Sequence, residues 1–193
     1  MKILYRSNTY IPDLVQVSKS LAEKNEFTNF CTDEVGRLLA VLVGQIKVGK
    51  ILEIGTGFGV GSSWILSAIN PSVHFLSVDN CIDKITQTSQ NIHHKQGEFV
   101  YGDWKEIRNR GPFQFIFVDA AIAKEVEGEK VIDMLDIGGM IFMDDFTPEE
   151  HWPEAWKGKP DHVREFWLNH SGVLATEIYL NPKSSAITAT RIK

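Results

Sequence analysis

Acidic side chains end five apolar runs of this chain, and they are the residues best placed to do chemistry. They are Glu53, Asp79, Asp103, Asp119 and Asp144, with Asp145 beside the last. When apolar runs are parallel strands of one open sheet, their carboxyl ends meet at the edge where ligands bind. A single acid at a strand end is usually a helix cap, but the same position filled after successive strands indicates a binding edge. Carboxylates there can accept hydrogen bonds from hydroxyl and amino groups or bind a hard cation.

A glycine-rich turn follows the first of these acids. Residues 50–61 read K-I-L-E-I-G-T-G-F-G-V-G, and residues 62–69 have a helical pattern. Strand, glycine turn and helix in this order begin a nucleotide-binding α/β unit, because glycines let the chain turn sharply and bring a ligand against bare backbone. The dinucleotide fingerprint requires a glycine at position 60, which is Val60 here. The spacing therefore argues against a dinucleotide, and Glu53 suits a ligand with cationic or hydroxyl groups.

The motif E-I-G-T-G-F-G at residues 53–59 resembles the first motif of class I S-adenosylmethionine-dependent methyltransferases, E-x-G-x-G-x-G. That cofactor carries a sulfonium, an amino group and two ribose hydroxyls. The resemblance implies that the cofactor is bound by Glu53, Gly55, Thr56, Gly57, Phe58, Gly59, Ser62, Asp79, Asn80, Gly102, Asp103, Trp104 and Asp119.

Three of these residues have defined expected roles, and two of the three have a defined alternative. Asp79 is expected to accept the ribose hydroxyls, and the alternative is a cap for the helix that begins near Asp83. Asp103 is expected to accept from the adenine amine, with Trp104 over the ring. For Trp104 the alternative is packing in the core.

The runs that end at Asp119 and at Asp144-Asp145 resemble the cation-dependent O-methyltransferases of the catechol and caffeoyl-CoA type. The paired acids also resemble macrolide-sugar O-methyltransferases. The resemblance implies that Asp119, Asp144 and Asp145 bind Mg²⁺ or another divalent cation, although the third ligand of the catechol-type family is usually asparagine. The alternative is that Asp144 and Asp145 cap a helix after Thr147, while Asp119 caps the helix near Ala123.

The catalytic lysine of that family lies three residues after the first metal-binding aspartate, where this chain has Ile122. Lys124 follows two residues later, so the catalytic candidates are Asp119 and Lys124. The sequence thus predicts methylation of a small hydroxylated acceptor on oxygen, with a divalent cation. The alternatives are a metal-independent O- or N-methyltransferase of small molecules and a protein that binds S-adenosylmethionine without catalysis.

Hydrophobic periodicity predicts the elements that position these residues. Helices are expected at 12–22, with Leu14, Val17 and Leu21 on one side, and at 32–48, 62–69, 83–93, 123–135 and 161–169. A further capped helix start is expected at Thr147-Pro148-Glu149-Glu150. Strands are expected at 50–54, 73–78, 98–101, 113–118, 140–143, 173–180 and 185–191. This order predicts an α/β fold, a Rossmann-like three-layer sandwich whose seven-stranded, mostly parallel sheet ends in an antiparallel hairpin.

Length and composition favour one domain. The chain has 193 residues, of which 43% are hydrophobic. We expect a helical segment at 1–48, which begins with an irregular arm over 1–11, and a cofactor-binding core at 49–193. The net charge of −5 gives no field for nucleic acid, and no segment has the length of a membrane span or the features of a secretion signal.

The remaining expectations concern compartment and partners. Cys31 and Cys81 have no metal-ligand spacing, which favours reduced thiols in a cytoplasmic protein. The expected partner is a small-molecule methyl acceptor. Trp152, Trp156 and Trp167 can line an aromatic acceptor pocket or form a contact between two copies of the chain, and members of the resembled family are often homodimers.

Overall fold

Seven strands form one sheet in the computed structural model, which describes residues 10–193. In chain order they are β1 Gly49–Ile54, β2 Val73–Asp79, β3 Gly97–Tyr101, β4 Phe113–Val118, β5 Leu135–Phe146, β6 Val173–Asn181 and β7 Ser184–Arg191. The order across the sheet is β3-β2-β1-β4-β5-β7-β6, in which β7 is antiparallel to β5 and β6 and the first five strands are parallel. The predicted fold class is confirmed. The predicted irregular arm falls mainly on residues 1–9, which lie outside the described part of the chain.

Helices cover both faces of the sheet. They are α1 Asp13–Lys24, α2 Asp33–Val43, α3 Val60–Leu66, α4 Ile82–Asn91, α5 Ala121–Glu125, α6 Gly128–Met134 and α7 His162–Asn169, with 3-10 turns at Trp104–Arg110 and Glu149–His151. Side chains from α1, α2 and α3 join one core with one sheet face, and side chains from α5, α6 and α7 join the other. In residues 10–193, no helix combines the length and apolar character needed to cross a bilayer, and both cysteines are free thiols.

Local sequence signals set two of the helix starts as predicted. Thr32 caps α2, since its hydroxyl accepts from the backbone N–H of Val35 at 3.4 Å. Asp161 caps α7, since its Oδ1 accepts from the N–H groups of Val163 and Arg164 at 3.1 and 3.0 Å. Both caps satisfy donors that have no partner within the helix.

Tertiary packing overrides the prediction for α1. The buried residues are Val15, Ser18 and Ala22, whereas Val17 is 42% exposed. The predicted apolar side was therefore wrong for Val17, whereas Leu14 and Leu21 are partly buried and pack against the core. Small side chains at 18 and 22 let α1 lie close to α3, and this contact selects the buried face.

Two other predicted helices differ from the structure. The helix expected at 123–135 is two helices, α5 and α6, separated at residues 126–127. Gly128 follows the break, where a Cβ would lie 2.4 Å from the Phe166 ring, so packing of α7 requires glycine there. The helix expected after Thr147 is a single 3-10 turn with no side-chain cap among the described residues. The Thr147 carbonyl instead accepts side-chain donors from Trp152 and Arg164.

Candidate functional site

The glycine turn after β1 lies between the ends of β2 and β4. Gly55 has a φ of +100°, and a Cβ on it would lie 2.6 Å from the backbone oxygen of Asp119. Its N–H donates to the Val78 carbonyl at 2.9 Å. The N–H of Gly57 donates to Asp79 Oδ2 at 2.9 Å. The turn therefore holds the acids that end β2 and β4 beside one another, and glycine at position 55 allows this close approach.

Glu53 lies beneath this turn. It is buried, and its Oε2 accepts from the hydroxyls of Ser62 and, at 2.5 Å, of Ser77. Its Oε1 has no hydrogen-bond partner among the described residues. The pKa of Glu53 is raised to about 8, chiefly by burial. The Ser62 and Ser77 hydroxyls lower this pKa, and the nearby carboxylates of Asp79 and Asp144 raise it further. Glu53 and Ser62, both predicted to bind cofactor, thus support the turn from below.

The raised pKa of Glu53 predicts a pH-dependent stability. Below pH 4.5 the carboxyl is protonated in both states, and between 4.5 and 8 only the folded state keeps the proton. Because the unfolded state binds fewer protons there, stability falls as pH rises, by up to about 1.4 kcal/mol per pH unit. Glu53→Gln should flatten this slope in urea unfolding between pH 5 and 8. The control Glu150→Gln, at an exposed position, should keep it, and parallel slopes for Glu53→Gln and wild type would contradict the assignment.

A cavity of about 390 Å³ opens above the turn. Six residues predicted to bind cofactor line it: Gly55, Thr56, Gly57, Phe58, Asp79 and Asp119. Further lining residues that were not predicted include Phe27, Asn29, Phe30, Lys84, Ala121 and Glu125. Its position at the carboxyl ends of β1, β2 and β4 is where open α/β sheets bind nucleosides.

Other residues predicted to bind cofactor do not line this cavity. They are Glu53, Gly59, Ser62, Asn80, Gly102, Asp103 and Trp104. Asp103 accepts from the N–H of Lys105 at 2.9 Å and pairs with its ammonium at 3.3 Å. Trp104 is buried as part of the hydrophobic core that includes Val78 and Val118. For Trp104 the structure favours the alternative of core packing.

The linker between α1 and α2 covers the cavity. The Phe27 and Phe58 ring centroids are 5.4 Å apart. The Phe27 ring also lies against Gly57, because a Cβ added to that glycine would be 3.3 Å from it. Lys84 Nζ lies 4.6 Å from the Phe27 centroid. The sequence carries no periodic or motif signal for these contacts, because they join residues about 30 and 57 positions apart.

Asp79 should be the acid on which cofactor affinity depends most. Its Oδ1 accepts from the N–H of Cys81 at 2.9 Å while Oδ2 holds Gly57, and it lines the cavity. Asp79→Ala removes a charged acceptor and leaves the Gly57 N–H unpaired. We expect the Kd for S-adenosylhomocysteine to rise about 10- to 100-fold in calorimetric titration. Asp83→Ala, in the exposed first turn of α4, is the control, and an Asp79→Ala Kd within twofold of wild type would exclude the role.

Three carboxylates converge at the ends of β4 and β5. One ligand oxygen from each of Asp119, Asp144 and Asp145 lies within 4.8 Å of the others. Consecutive strand residues normally point to opposite faces. Here the pairing of β5 with β7 shifts register between Met143 and Phe146, and Asp145 has a φ of +62°. This irregularity turns both neighbouring carboxylates toward Asp119.

The electrostatics of these carboxylates fit a cation. Burial, then the charge of Asp145, raises the pKa of Asp144 to about 7, and Lys124 opposes this shift. Burial and the carboxylates of Asp144 and Asp145 raise the pKa of Asp119 well above its ordinary value. Asp144 Oδ1 is buried without a hydrogen-bond partner in the described residues. An all-oxygen set with an unpartnered buried oxygen suits a hard divalent cation.

Lys124 points into this group of acids. It is 8% exposed, and its Nζ donates to the Asp144 carbonyl at 2.8 Å. The indole N–H of Trp167 donates to the Lys124 carbonyl at 2.9 Å, which fixes the backbone of α5. Ile122 is 57% exposed. The short helix thus turns position 124, and not 122, toward the acids.

A second cavity of about 370 Å³ lies on the other side of these residues. It shares Lys124, Glu125 and Asp145 with the first cavity. Its walls include Phe146, Trp152 and Trp156, and the two indoles are 6.5 Å apart, edge to face. Trp167, which was also expected to line an acceptor pocket, is fully buried in the core, so that expectation was wrong for Trp167.

Known proteins match this chain in sequence and in fold. The family model of protein-L-isoaspartate(D-aspartate) O-methyltransferases matches residues 32–145. A protein-L-isoaspartate O-methyltransferase from Shewanella denitrificans is 31% identical over 111 residues, which are 56% of this chain and 51% of the relative. The chain therefore spans about half the length of the curated relative that it matches. The family match ends at Asp145, so the second cavity is formed mainly by residues beyond it.

Two solved structures share the fold over nearly the whole chain. The O-methyltransferase TomG from Streptomyces achromogenes, solved with S-adenosylmethionine, has a TM-score of 0.80 and 18% identity, covering 97% of this chain and 93% of its own. An O-methyltransferase from Bacillus cereus, solved with S-adenosylhomocysteine, has a TM-score of 0.81 and 21% identity, covering 97% and 96%. At these identities, the likeness shows the fold.

Proposed function

The chain belongs to the protein-L-isoaspartate(D-aspartate) O-methyltransferase family, and with it to the S-adenosylmethionine-dependent methyltransferases, and we propose that it methylates a small hydroxylated acceptor on oxygen with the help of a divalent cation. S-adenosylmethionine would occupy the cavity above the glycine turn. The acceptor would occupy the cavity beside Trp152 and Trp156. The two would meet at Lys124 and Asp145, which line both cavities.

The shared wall is the observation that carries this proposal. Methyl transfer from a sulfonium is an in-line displacement, so donor and acceptor must approach from opposite sides of one point. Two cavities of similar volume, about 390 and 370 Å³, share Lys124, Glu125 and Asp145, the last of which is one of the converging acids. A nucleoside in one and a small acceptor in the other would satisfy this geometry.

Asp119, Asp144 and Asp145 are the residues that would hold the cation. When bound, a divalent cation supplies a Lewis acid that lowers the pKa of an acceptor hydroxyl. The buried and unpartnered Oδ1 of Asp144 is the feature of these residues that most favours such a ligand.

Lys124 is the candidate base. The acceptor oxygen gains a bond to the methyl carbon while the sulfur–carbon bond breaks, and the hydroxyl proton has to leave. Lys124 Nζ lies at the shared wall, and in its neutral amine form it would accept that proton. Phe146, Trp152 and Trp156 would surround the acceptor and keep water from the reacting atoms.

The family match favours a second candidate, methylation of an aspartyl-type carboxyl in a protein or peptide. The name of the Shewanella relative describes that activity. A carboxyl acceptor is already ionised at pH 7, since its ordinary pKa is about 3.9. It has no proton to give to Lys124 and needs no Lewis acid, so the converging acids and the lysine favour a hydroxyl acceptor.

Radiolabelled methyl transfer tests the proposal. The protein is dialysed against EDTA and assayed on phenols, hydroxylated sugars, amines and an isoaspartyl peptide, with and without Mg²⁺. We expect turnover of a hydroxylated acceptor that EDTA abolishes and Mg²⁺ restores. Turnover that EDTA leaves unchanged would indicate a metal-independent enzyme, and methylation of the peptide would indicate the second candidate. Binding without turnover of any acceptor would indicate a binding protein, and no binding at millimolar S-adenosylmethionine would refute the methyltransferase function.

A further inference from the structure

Asp145 occupies a backbone conformation that its own residue type disfavours. It is exposed and has a φ of +62°, in the left-handed region. Residues other than glycine adopt this conformation rarely, and here it falls at the irregular pairing of β5 with β7. The next two residues are Phe146, where β5 ends, and Thr147.

One arginine holds those residues. Arg164 Nη2 donates to the Thr147 carbonyl at 2.9 Å, and the guanidinium carbon lies 5.1 Å from the Phe146 ring centroid. The same guanidinium lies 5.9 Å from the Trp152 ring, whose indole N–H donates to the same Thr147 carbonyl at 2.8 Å. Arg164 thus contacts both residues that follow Asp145: the aromatic ring of Phe146 and the backbone carbonyl of Thr147.

Arg164 is itself held rigidly. Glu177 on β6 accepts from Nε at 3.1 Å and from Nη2 at 2.9 Å, and Asp161, the α7 cap, accepts from Nη1. The Ser185 hydroxyl donates to Glu177 Oε1 at 2.5 Å, and its oxygen also lies 3.2 Å from the Phe146 carbonyl oxygen. A planar guanidinium that is engaged along two edges has little freedom, which a lysine ammonium cannot reproduce.

The charge of Arg164 is already balanced by these partners. Two carboxylates, Asp161 and Glu177, contact one guanidinium that is largely buried, with 15% of its side chain exposed. Arg164 lines the second cavity. Together with its two carboxylate partners, however, it forms a cluster that has no net positive charge to attract an anionic ligand. Its geometry suits positioning and does not suit anion binding.

We propose that Arg164 is a positioning residue that holds Asp145 in the orientation needed to complete the cation site. This inference rests on the proposed function, in which Asp119, Asp144 and Asp145 bind a divalent cation. Arg164 acts through Phe146 and Thr147, and its own hydrogen bonds go to Thr147, Asp161, Glu177 and Ser185. Arg164 links α7 and the middle of β6, which lie outside the family match, to the residues that directly follow the end of that match.

Titration of Mn²⁺ by electron paramagnetic resonance tests this positioning in the full-length protein without substrate. Arg164→Lys keeps the positive charge but loses the planar guanidinium that makes several directed hydrogen bonds at once. We expect Mn²⁺ affinity to fall about 10- to 100-fold, the usual effect of losing a residue that orients a metal ligand. Affinity for S-adenosylhomocysteine without metal should stay within twofold of wild type. Arg191→Lys is the matched control. Arg191 binds the carbonyls of Ile132, Asp133 and Leu135 at the opposite end of β5, at 2.7–3.2 Å, so its variant should keep wild-type Mn²⁺ affinity.

The outcomes distinguish the absence of a cation site from the absence of a positioning role for Arg164. If wild type binds no Mn²⁺, the proposed metal-dependent function fails and this inference fails with it. If wild type binds Mn²⁺ and Arg164→Lys binds it equally well, only the positioning role of Arg164 is overturned. If Arg164→Lys does not fold by circular dichroism, Glu177→Gln replaces it, because this change loosens the guanidinium while keeping Arg164. A several-fold loss of Mn²⁺ affinity in Glu177→Gln supports the role, and unchanged affinity overturns it.

Discussion

Replacing Lys124 with methionine should lower kcat/KM by roughly 10²–10⁴-fold, the usual contribution of a positioned general base. Lys124 is buried at the wall between the two cavities, and its Nζ donates to the Asp144 carbonyl. Methionine keeps the length and apolar stem of the side chain, so the packing around α5 should survive. The loss should appear in kcat, and the Kd for S-adenosylhomocysteine should change little.

Two further variants make the Lys124 result specific. Lys130→Met removes an exposed lysine that pairs with Glu127 at 3.2 Å, and it should leave kcat unchanged. Ile122→Lys in the Lys124→Met background places lysine where the resembled family has it, but position 122 faces solvent. We expect no recovery from this double variant. Recovery, or a Lys124→Met enzyme with wild-type kcat, would show that the proton leaves by another route.

Asp144→Asn should have opposite effects on activity and on stability. Losing a cation ligand should lower metal-dependent kcat/KM by about 10²–10³-fold, since a catalytic cation contributes several kcal/mol. Without metal, however, the variant should be more stable than wild type at pH 8. Burial and Asp145 raise the pKa of Asp144 from 3.8 to about 7. The folded state therefore loses stability relative to the unfolded state as pH rises through this range, because the unfolded state ionises the carboxyl more easily. Removing that ionisation should stabilise the metal-free protein at pH 8 by on the order of 1–3 kcal/mol.

Chemical unfolding at pH 5 and pH 8, with EDTA or Mg²⁺, measures both effects. The stability gain should be small at pH 5 and should grow toward pH 8, and added Mg²⁺ should stabilise wild type but not Asp144→Asn. Asp136→Asn is the control, because Asp136 is an exposed acid at the other end of β5. A variant that is less stable than wild type at pH 8 without metal would show that Asp144 serves the fold and not a cation.

Much of the molecule follows from local features of the chain. Apolar runs that end in acids determine the strands and place Glu53, Asp79, Asp119 and Asp144 toward one edge, because parallel strands share a direction. The Thr32 and Asp161 caps begin α2 and α7. The glycine turn could be recognised because the conformation at Gly55 has a residue-type requirement that is visible in the sequence.

The rest depends on contacts between segments far apart in the chain, and the tertiary structure alone decides it. Whether Asp144 and Asp145 face the same side depends on an irregular pairing of β5 with β7, and on an arginine from α7. Whether position 122 or 124 faces the acids depends on where α5 ends and on Trp167, which binds its backbone. Phe27 reaches the cofactor cavity only because the linker packs across the glycine turn. Residue type and spacing therefore determine the strands and the acids at their ends, whereas side-chain direction at the site comes from long-range packing that no local pattern encodes.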